Sequence, residues 1–164
     1  MTSRVINIVF AGLGGQGVLK ASDIASDAAF RAGYDVKKSE IHGMSQRGGS
    51  VTSDVRFGPV VFSPMVPPGE ADFLVVIAPD QVEVNRWQLR EGGVLITPAS
   101  VNERALPAKK AINVALLGLL STHLDIPEEH WLDAVRANAP GKFLEANITA
   151  FAIGRQAAPA ETLP

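Results

Sequence analysis

Two short stretches of this chain hold residue types at spacings that suit chemistry. The first is Gly12-Leu13-Gly14-Gly15-Gln16-Gly17, which follows an apolar run. Glycines at these intervals let a strand turn tightly, bring backbone amides against a phosphate, and pack the next helix close. The amides at the start of that helix would then face the anion. Gly12, Gly14, Gly15, Gln16 and Gly17 are therefore the candidate phosphate-binding residues, against the alternative of a tight turn with no ligand. The second stretch is His42-Gly43-Met44-Ser45-Gln46-Arg47-Gly48-Gly49, about one βαβ unit further on. It gathers imidazole, amide and guanidinium groups on flexible backbone. That composition suits a ligand channel or a contact with a partner subunit, carried by His42, Met44, Gln46 and Arg47.

The residues between the two stretches bear on which nucleotide could bind. A domain built for NAD carries an acidic residue roughly 20 positions after its glycines, to hold the ribose hydroxyls. Here that place holds Lys37, Lys38 and Ser39. Two ammonium groups would attract an extra phosphate on the ribose, which favours NADP or coenzyme A. Glu40 keeps the NAD reading open, and a solvated strand end remains the plain alternative for either lysine. No nucleophile elbow, Walker loop or His-Glu-x-x-His zinc motif occurs. His123 and His130 stand seven residues apart, a poor spacing for a metal on one helix, and read as structural. Trp87 and Trp131 read as core or interface anchors. No catalytic residue and no metal ligand is expected: the pattern is a binding site without a full catalytic apparatus.

The elements that must position these residues follow from periodicity. Residues 4–11 read as the first strand, mostly apolar apart from Arg4 and Asn7, as in a buried parallel strand. Residues 17–32 show a helical apolar face ended by Gly33. Residues 34–41 make a second strand. Residues 51–57 alternate, and Gly58-Pro59 suggests a turn into 60–62 and an antiparallel hairpin. Three prolines exclude regular structure from 63–69. A strand over 73–78, a helix over 80–90 and a strand over 94–97 follow. The last third reads as helical over 111–124, 127–137 and 144–157, with Pro127, Glu128 and Glu129 marking a helix start. Residues 158–164 are expected to fray. The expected fold is a single α/β domain over 1–157, a Rossmann-like three-layer arrangement. Its sheet is expected to be mainly parallel with one antiparallel hairpin, and its C-terminal third helical.

Composition narrows the function classes. The chain has 164 residues, of which 46% are hydrophobic and 20% charged, which suits one globular domain with a real core. A net charge of −2 gives no electrostatic footprint for nucleic acid. There is no cysteine, so no disulfide, thiolate metal site or iron–sulfur cluster can be ligated by this chain. No apolar run reaches the roughly 20 residues that span a bilayer, and no leader pattern opens the sequence, so a cytoplasmic location is expected.

The glycine turn, followed by Lys38-Ser39-Glu40-Ile41-His42-Gly43-Met44-Ser45-Gln46-Arg47-Gly48-Gly49-Ser50-Val51, resembles the gamma subunit or fused gamma domain of 2-oxoacid:ferredoxin oxidoreductases. Among these it is most similar to the beta subunit of the indolepyruvate enzymes. Ser63-Pro64, Gly69-Glu70-Ala71-Asp72, Asn113 with Leu117-Gly118, and Pro127-Glu128-Glu129 extend the similarity to about residues 7–157. The resemblance implies an accessory subunit of an enzyme that oxidatively decarboxylates a 2-oxoacid, here an aryl one, and makes acyl-CoA. This chain would help bind coenzyme A. Thiamine diphosphate and the iron–sulfur clusters would lie on catalytic partner chains, which pass electrons to ferredoxin or another acceptor. A stand-alone Rossmann-like NADP- or nucleotide-binding domain is the alternative. One departure stands out: only residues 99–110 fill a gap where relatives usually carry another strand and helix turn, so the sheet is expected to be shorter or irregular there.

Overall fold

A computed structural model describes residues 1–42 and 48–164. The elements run β1 (Ile6–Leu13), α1 (Val18–Arg31), β2 (Asp35–His42), β3 (Ser50–Gly58), β4 (Ala71–Val76), α2 (Val82–Asn85), β5 (Leu89–Ile96), α3 (Ile112–Ser121), α4 (Glu128–Asn138), α5 (Leu144–Arg155) and β6 (Glu161–Thr162). The six strands form one sheet in the order β2-β3-β1-β4-β5-β6. β1, β4 and β5 pair in parallel, while β3 is antiparallel to both β1 and β2, and β6 is antiparallel to β5. The α/β architecture is as expected from the sequence, and its sheet is mixed, with the parallel part confined to the centre.

Strand alternation divides the core between two faces. Ile8 and Phe10 of β1, Val55 and Phe57 of β3 and Val75 of β4 look toward α1, α3, α4 and α5. Val9 and Ala11 of β1, with Leu74, Val76 and Leu95, form a smaller cluster on the opposite face. Its cover is thin: Val66 from the proline-rich segment, Val82 of α2 and Leu163 of the tail. α3 is buried nearly all round, which is why its sequence is almost wholly apolar. It lies so close to α5 that a Cβ on Gly118 would stand 2.1 Å from the Phe151 carbonyl oxygen, and one on Gly154 only 1.8 Å from that of Ala115.

Four local expectations are corrected. The hairpin partner of β3 is β2, and residues 60–62 stay outside the sheet, because both edges of β3 are already taken by β1 and β2. Val61 is instead buried, its amide donating to Asp35 Oδ2 at 2.7 Å. The helix expected over 80–90 is only the single turn of α2, flanked by 3-10 turns at Pro79–Gln81 and Arg86–Gln88. β5 then begins at Leu89, five residues early, because a bulge carries Gly92-Gly93 through the strand. Ala71 pairs with Leu89 but Phe73 pairs with Val94, and Gly92 takes φ 70° to absorb the excess. Finally, the tail does not simply fray: Glu161 and Thr162 pair with Leu95 and Val94. Residues 99–110 are irregular, as expected, with 3-10 turns and no strand.

Candidate functional site

β1 delivers its C-terminal end to the glycine turn. Gly12 must lack a side chain, since a Cβ there would meet Val18 Cγ2 at 2.8 Å and Gln16 Oε1 at 3.0 Å. Gln16 closes the turn itself: its Oε1 accepts from the Leu13 amide at 2.8 Å, and its own amide donates to the Leu13 carbonyl at 3.2 Å. The space over Gly14 is filled by chain. A Cβ would lie 3.2 Å from the Gly48 nitrogen, and the Gly14 amide donates to the Gly49 carbonyl at 2.9 Å. The end of the second polar stretch is thus folded directly beside the turn.

Gly17 adopts φ 85° at the N-cap of α1, a conformation that costs glycine least. No side chain caps that helix, and Ala21 supplies the first intrahelical bond to the Gly17 carbonyl at 2.9 Å. The amides of Val18, Leu19 and Lys20 therefore have no acceptor among the described residues. Asn113, at the start of α3, donates its Nδ2 to the same Gly17 carbonyl at 3.3 Å, and a Cβ on Gly17 would come within 2.5 Å of that nitrogen. Glycine at 17 is what lets α3 close against the turn.

Two clefts open at this turn. One, of about 320 Å³, lies between Leu13, Gly14, Gly15, Val18, Lys20 and His42. The other, of about 470 Å³, runs from Gly15, Gln16 and Gly17 to Lys109, Lys110 and Asn113, again beside Lys20. Lys20 is held by an Nζ bond to the Asn138 carbonyl at 2.7 Å, a contact that leaves its charge unneutralised. Lys109 and Lys110 are exposed, with no ion pair among the described residues. Three ammonium groups and uncapped amides thus surround an exposed glycine, a donor-rich and electropositive corner.

Lys37, Lys38 and Ser39 are not brought to this corner. Lys38 stands beside Val55, which is opposite Ile8, whereas Gly12 is level with Val51 and His42. Four residues of strand separate the two levels, about 13 Å. Successive strand residues also face opposite sides of the sheet, so Lys37 and Lys38 cannot grip one phosphate together. Lys38 is bound to Asp23 and to Glu40, the latter at 2.6 Å. Burial alone would lower its pKa, but the hydrogen bonds to these two carboxylates outweigh it and hold the ammonium above its usual value. Lys37 lies 3.9 Å from Asp35, and Ser39 sits beside Asp54. Of the second stretch, His42 borders the smaller cleft, 3.8 Å from Glu40 Oε2. Met44, Gln46 and Arg47 lie outside the described residues.

Sequence reasoning missed Lys20, Lys109, Lys110 and Asn113. Lys20 was visible in the first helical turn, and Lys109-Lys110 as a basic pair. What could not be read was that the irregular 99–110 segment returns that pair to the glycines. Trp87, Trp131 and His123 line neither cleft. Trp131 is fully buried beside Phe151, Trp87 is exposed, and His123 packs against Phe73, its pKa lowered by burial.

Comparison with known proteins falls on this same region. A family model described as pyruvate ferredoxin/flavodoxin oxidoreductase matches residues 7–111, from β1 to the second basic wall of the cleft. Indolepyruvate oxidoreductase subunit IorB of Thermococcus kodakarensis is 34% identical, over 93% of this chain and 95% of the relative. The gamma subunit of a keto/oxoacid ferredoxin oxidoreductase from Geobacter sulfurreducens superposes with a TM-score of 0.79 at 22% identity, covering 94% of this chain and 96% of that one. A 2-oxoglutarate:ferredoxin oxidoreductase from Magnetococcus marinus, solved with 2-oxoglutarate, coenzyme A and succinyl-CoA bound, gives a TM-score of 0.81 at 18% identity. It shares 94% of this chain but only 31% of its own. At those identities the two structures show a shared fold.

Proposed function

The chain belongs to the pyruvate ferredoxin/flavodoxin oxidoreductase family as an accessory subunit of a 2-oxoacid:ferredoxin oxidoreductase, and on that premise we propose that it seats coenzyme A in a complex acting on an aryl 2-oxoacid. The observation that carries the reading is the corner where Lys20, Lys109 and Lys110 surround an uncapped helix start and an exposed glycine. Coenzyme A brings a diphosphate and a ribose phosphate, and such anions are what free amides and ammonium groups hold best. The aryl preference rests on the IorB relative, whose name specifies indolepyruvate. Thiamine diphosphate supplies the carbanion chemistry of decarboxylation, and we assign it, with the iron–sulfur clusters, to partner chains. The sequence has no cysteine, the residue that holds such clusters. Electrons would leave through those partners to ferredoxin or another acceptor.

The test uses the complex purified through this chain. A Lys109→Ala, Lys110→Ala double variant should raise KM for coenzyme A about tenfold, or about 1.4 kcal/mol, since each contact is exposed and worth up to about 1 kcal/mol. KM for the 2-oxoacid and kcat should stay within twofold. Lys37→Ala, far from the turn, should leave KM for coenzyme A unchanged. A double variant with wild-type coenzyme A kinetics would remove the corner from the binding site.

A further inference from the structure

The face of the sheet turned away from α1, α3, α4 and α5 carries a group of large apolar side chains left in water. Asn7, Asp54 and Arg56 alternate with Ile8, Val55 and Phe57 and so point to this face. With Asp35 they pin the segment between β3 and β4 upon it. The Val61 amide donates to Asp35 Oδ2 at 2.7 Å, and Arg56 Nη1 to the Ser63 carbonyl at 2.9 Å. The Val66 amide donates to Asp54 Oδ2 at 2.9 Å, and Asn7 Nδ2 to the Glu70 carbonyl at 3.0 Å. Pro64, Pro67 and Pro68 stiffen the backbone between these anchors. Val61 is buried and Val66 packs on the core, yet Phe62, between two pinned residues, is 93% exposed. Val60 and Met65 are more than half exposed. So are Val84 of α2 and Trp87, which borders the same segment: a Cβ on Gly69 would lie 3.8 Å from the Trp87 carbonyl oxygen.

We propose that this patch docks the catalytic subunit of the same complex, with Phe62 as the anchor, an inference that rests on the chain's place as an accessory subunit and is independent of the coenzyme A reading. The two aromatics alone bring roughly 300 Å² of exposed apolar surface. The five side chains together present on the order of 600 Å², most of the ~800 Å² that one partner gives to a standard interface. That is also the upper end of what a monomer leaves in one patch. Charge narrows the occupant. Lys37 lies by Asp35, Arg56 is bonded to Asn7 and Ser63, Arg86 to Glu83 and Arg90 to Asp72. Cations already matched within the chain offer little to a nucleic acid or an anionic membrane, and suit an apolar protein surface. The pinned backbone holds Phe62 out before any partner arrives, so little ordering entropy is lost on docking. The patch also stands apart from the glycine turn. Arg56 is level with Asn7, five residues or about 17 Å along β1 from Gly12. Docking here covers the thin second face and leaves the cationic corner open.

Photo-crosslinking and dilution of the purified complex test the assignment. With p-benzoylphenylalanine in place of Phe62, irradiation should link this chain to the catalytic subunit. Phe62→Asp and Trp87→Asp put a charge into an apolar contact and should each weaken association at least tenfold, read by native mass spectrometry on dilution. Phe30→Asp, at a position of α1 that is 71% exposed on the helical side, should stay within twofold. Unchanged thermal melting of each full-length variant chain separates lost docking from lost fold, and the crosslink decides the matter even for a variant that melts early. Complex that remains assembled should keep its KM for coenzyme A, so a failure of the coenzyme A reading and a failure here are told apart. A link from position 62 only to a second copy of this chain, or to nothing, overturns the assignment. So does wild-type association of both Phe62→Asp and Trp87→Asp, and association lost with Phe30→Asp alone would put the catalytic subunit on the helical side.

Discussion

Asp72, almost wholly buried, joins three parts of the chain through one carboxylate. It accepts from Arg4 at 3.0 and 3.2 Å, from the Asn7 amide of β1 at 2.8 Å, and from Arg90 of β5 at 2.8 Å. Burial pushes its pKa up, but the hydrogen bonds from Arg4, Asn7 and Arg90 outweigh it and hold the group below the usual carboxylate value. A depressed folded-state pKa stabilises above the unfolded value, near 3.9, and that contribution is lost as pH falls through the folded pKa. Asp72→Asn should thus cost about 2 kcal/mol at pH 7, the loss of charged acceptors for a buried amide and two guanidinium groups. The gap between variant and wild type in urea unfolding should narrow as pH drops below about 4. Asp54 works in the opposite sense, since burial holds its pKa up, so the difference between the two proteins is the quantity to follow. At this scale the sequence was partly legible. The need for bare glycines at 12 and 17 follows from their spacing, but the role of Gln16 as the clasp of the turn does not. Nor does the neutralisation of Lys38, because Asp23 lies on a helix whose packing against β2 no local pattern reveals.

Among the elements, the α3–α5 seam is the tightest. Alanine in an open helix is favoured over glycine by about 1 kcal/mol, so Gly154→Ala would stabilise a solvated α5. Here the new methyl carbon would fall 1.8 Å from the Ala115 carbonyl oxygen, and the helices must part to admit it. Gly154→Ala should therefore destabilise by about 3 kcal/mol or more, read as a lowered midpoint in thermal unfolding followed by circular dichroism. A neutral or higher midpoint would mean the helices are free to separate. Long elements were the readable ones: α1, α3, α4 and α5 all stand where periodicity and capping residues put them, within a few positions. The short ones were not. α2 is a single turn because Leu89 and the residues after it are recruited as a strand by β4, a long-range pairing that overrides local helical preference.

For the molecule as a whole, the tail matters more than its length suggests. β6 is two residues long, yet with Leu163, whose amide donates to the Gly93 carbonyl at 3.0 Å, it covers the outer edge of β5 and part of the thin second face. An open strand edge is a template for pairing between molecules. A chain ending at residue 157 should keep its melting cooperativity but self-associate more strongly than the full chain as concentration rises, read by analytical ultracentrifugation. The strand order itself was beyond the sequence. Nothing local says that β3 inserts between β1 and β2, since both neighbours satisfy its alternation equally well. That insertion also sets an order of events. β2 and β3 meet across a short loop, with His42 beside Val51, but β1 must reach from Ile6 to Phe57. Closing the short loop costs less chain entropy, so the hairpin assembles first and then docks as a unit. β1, the earliest of the three along the chain, is therefore the last to find its place, joining a hairpin that is already formed.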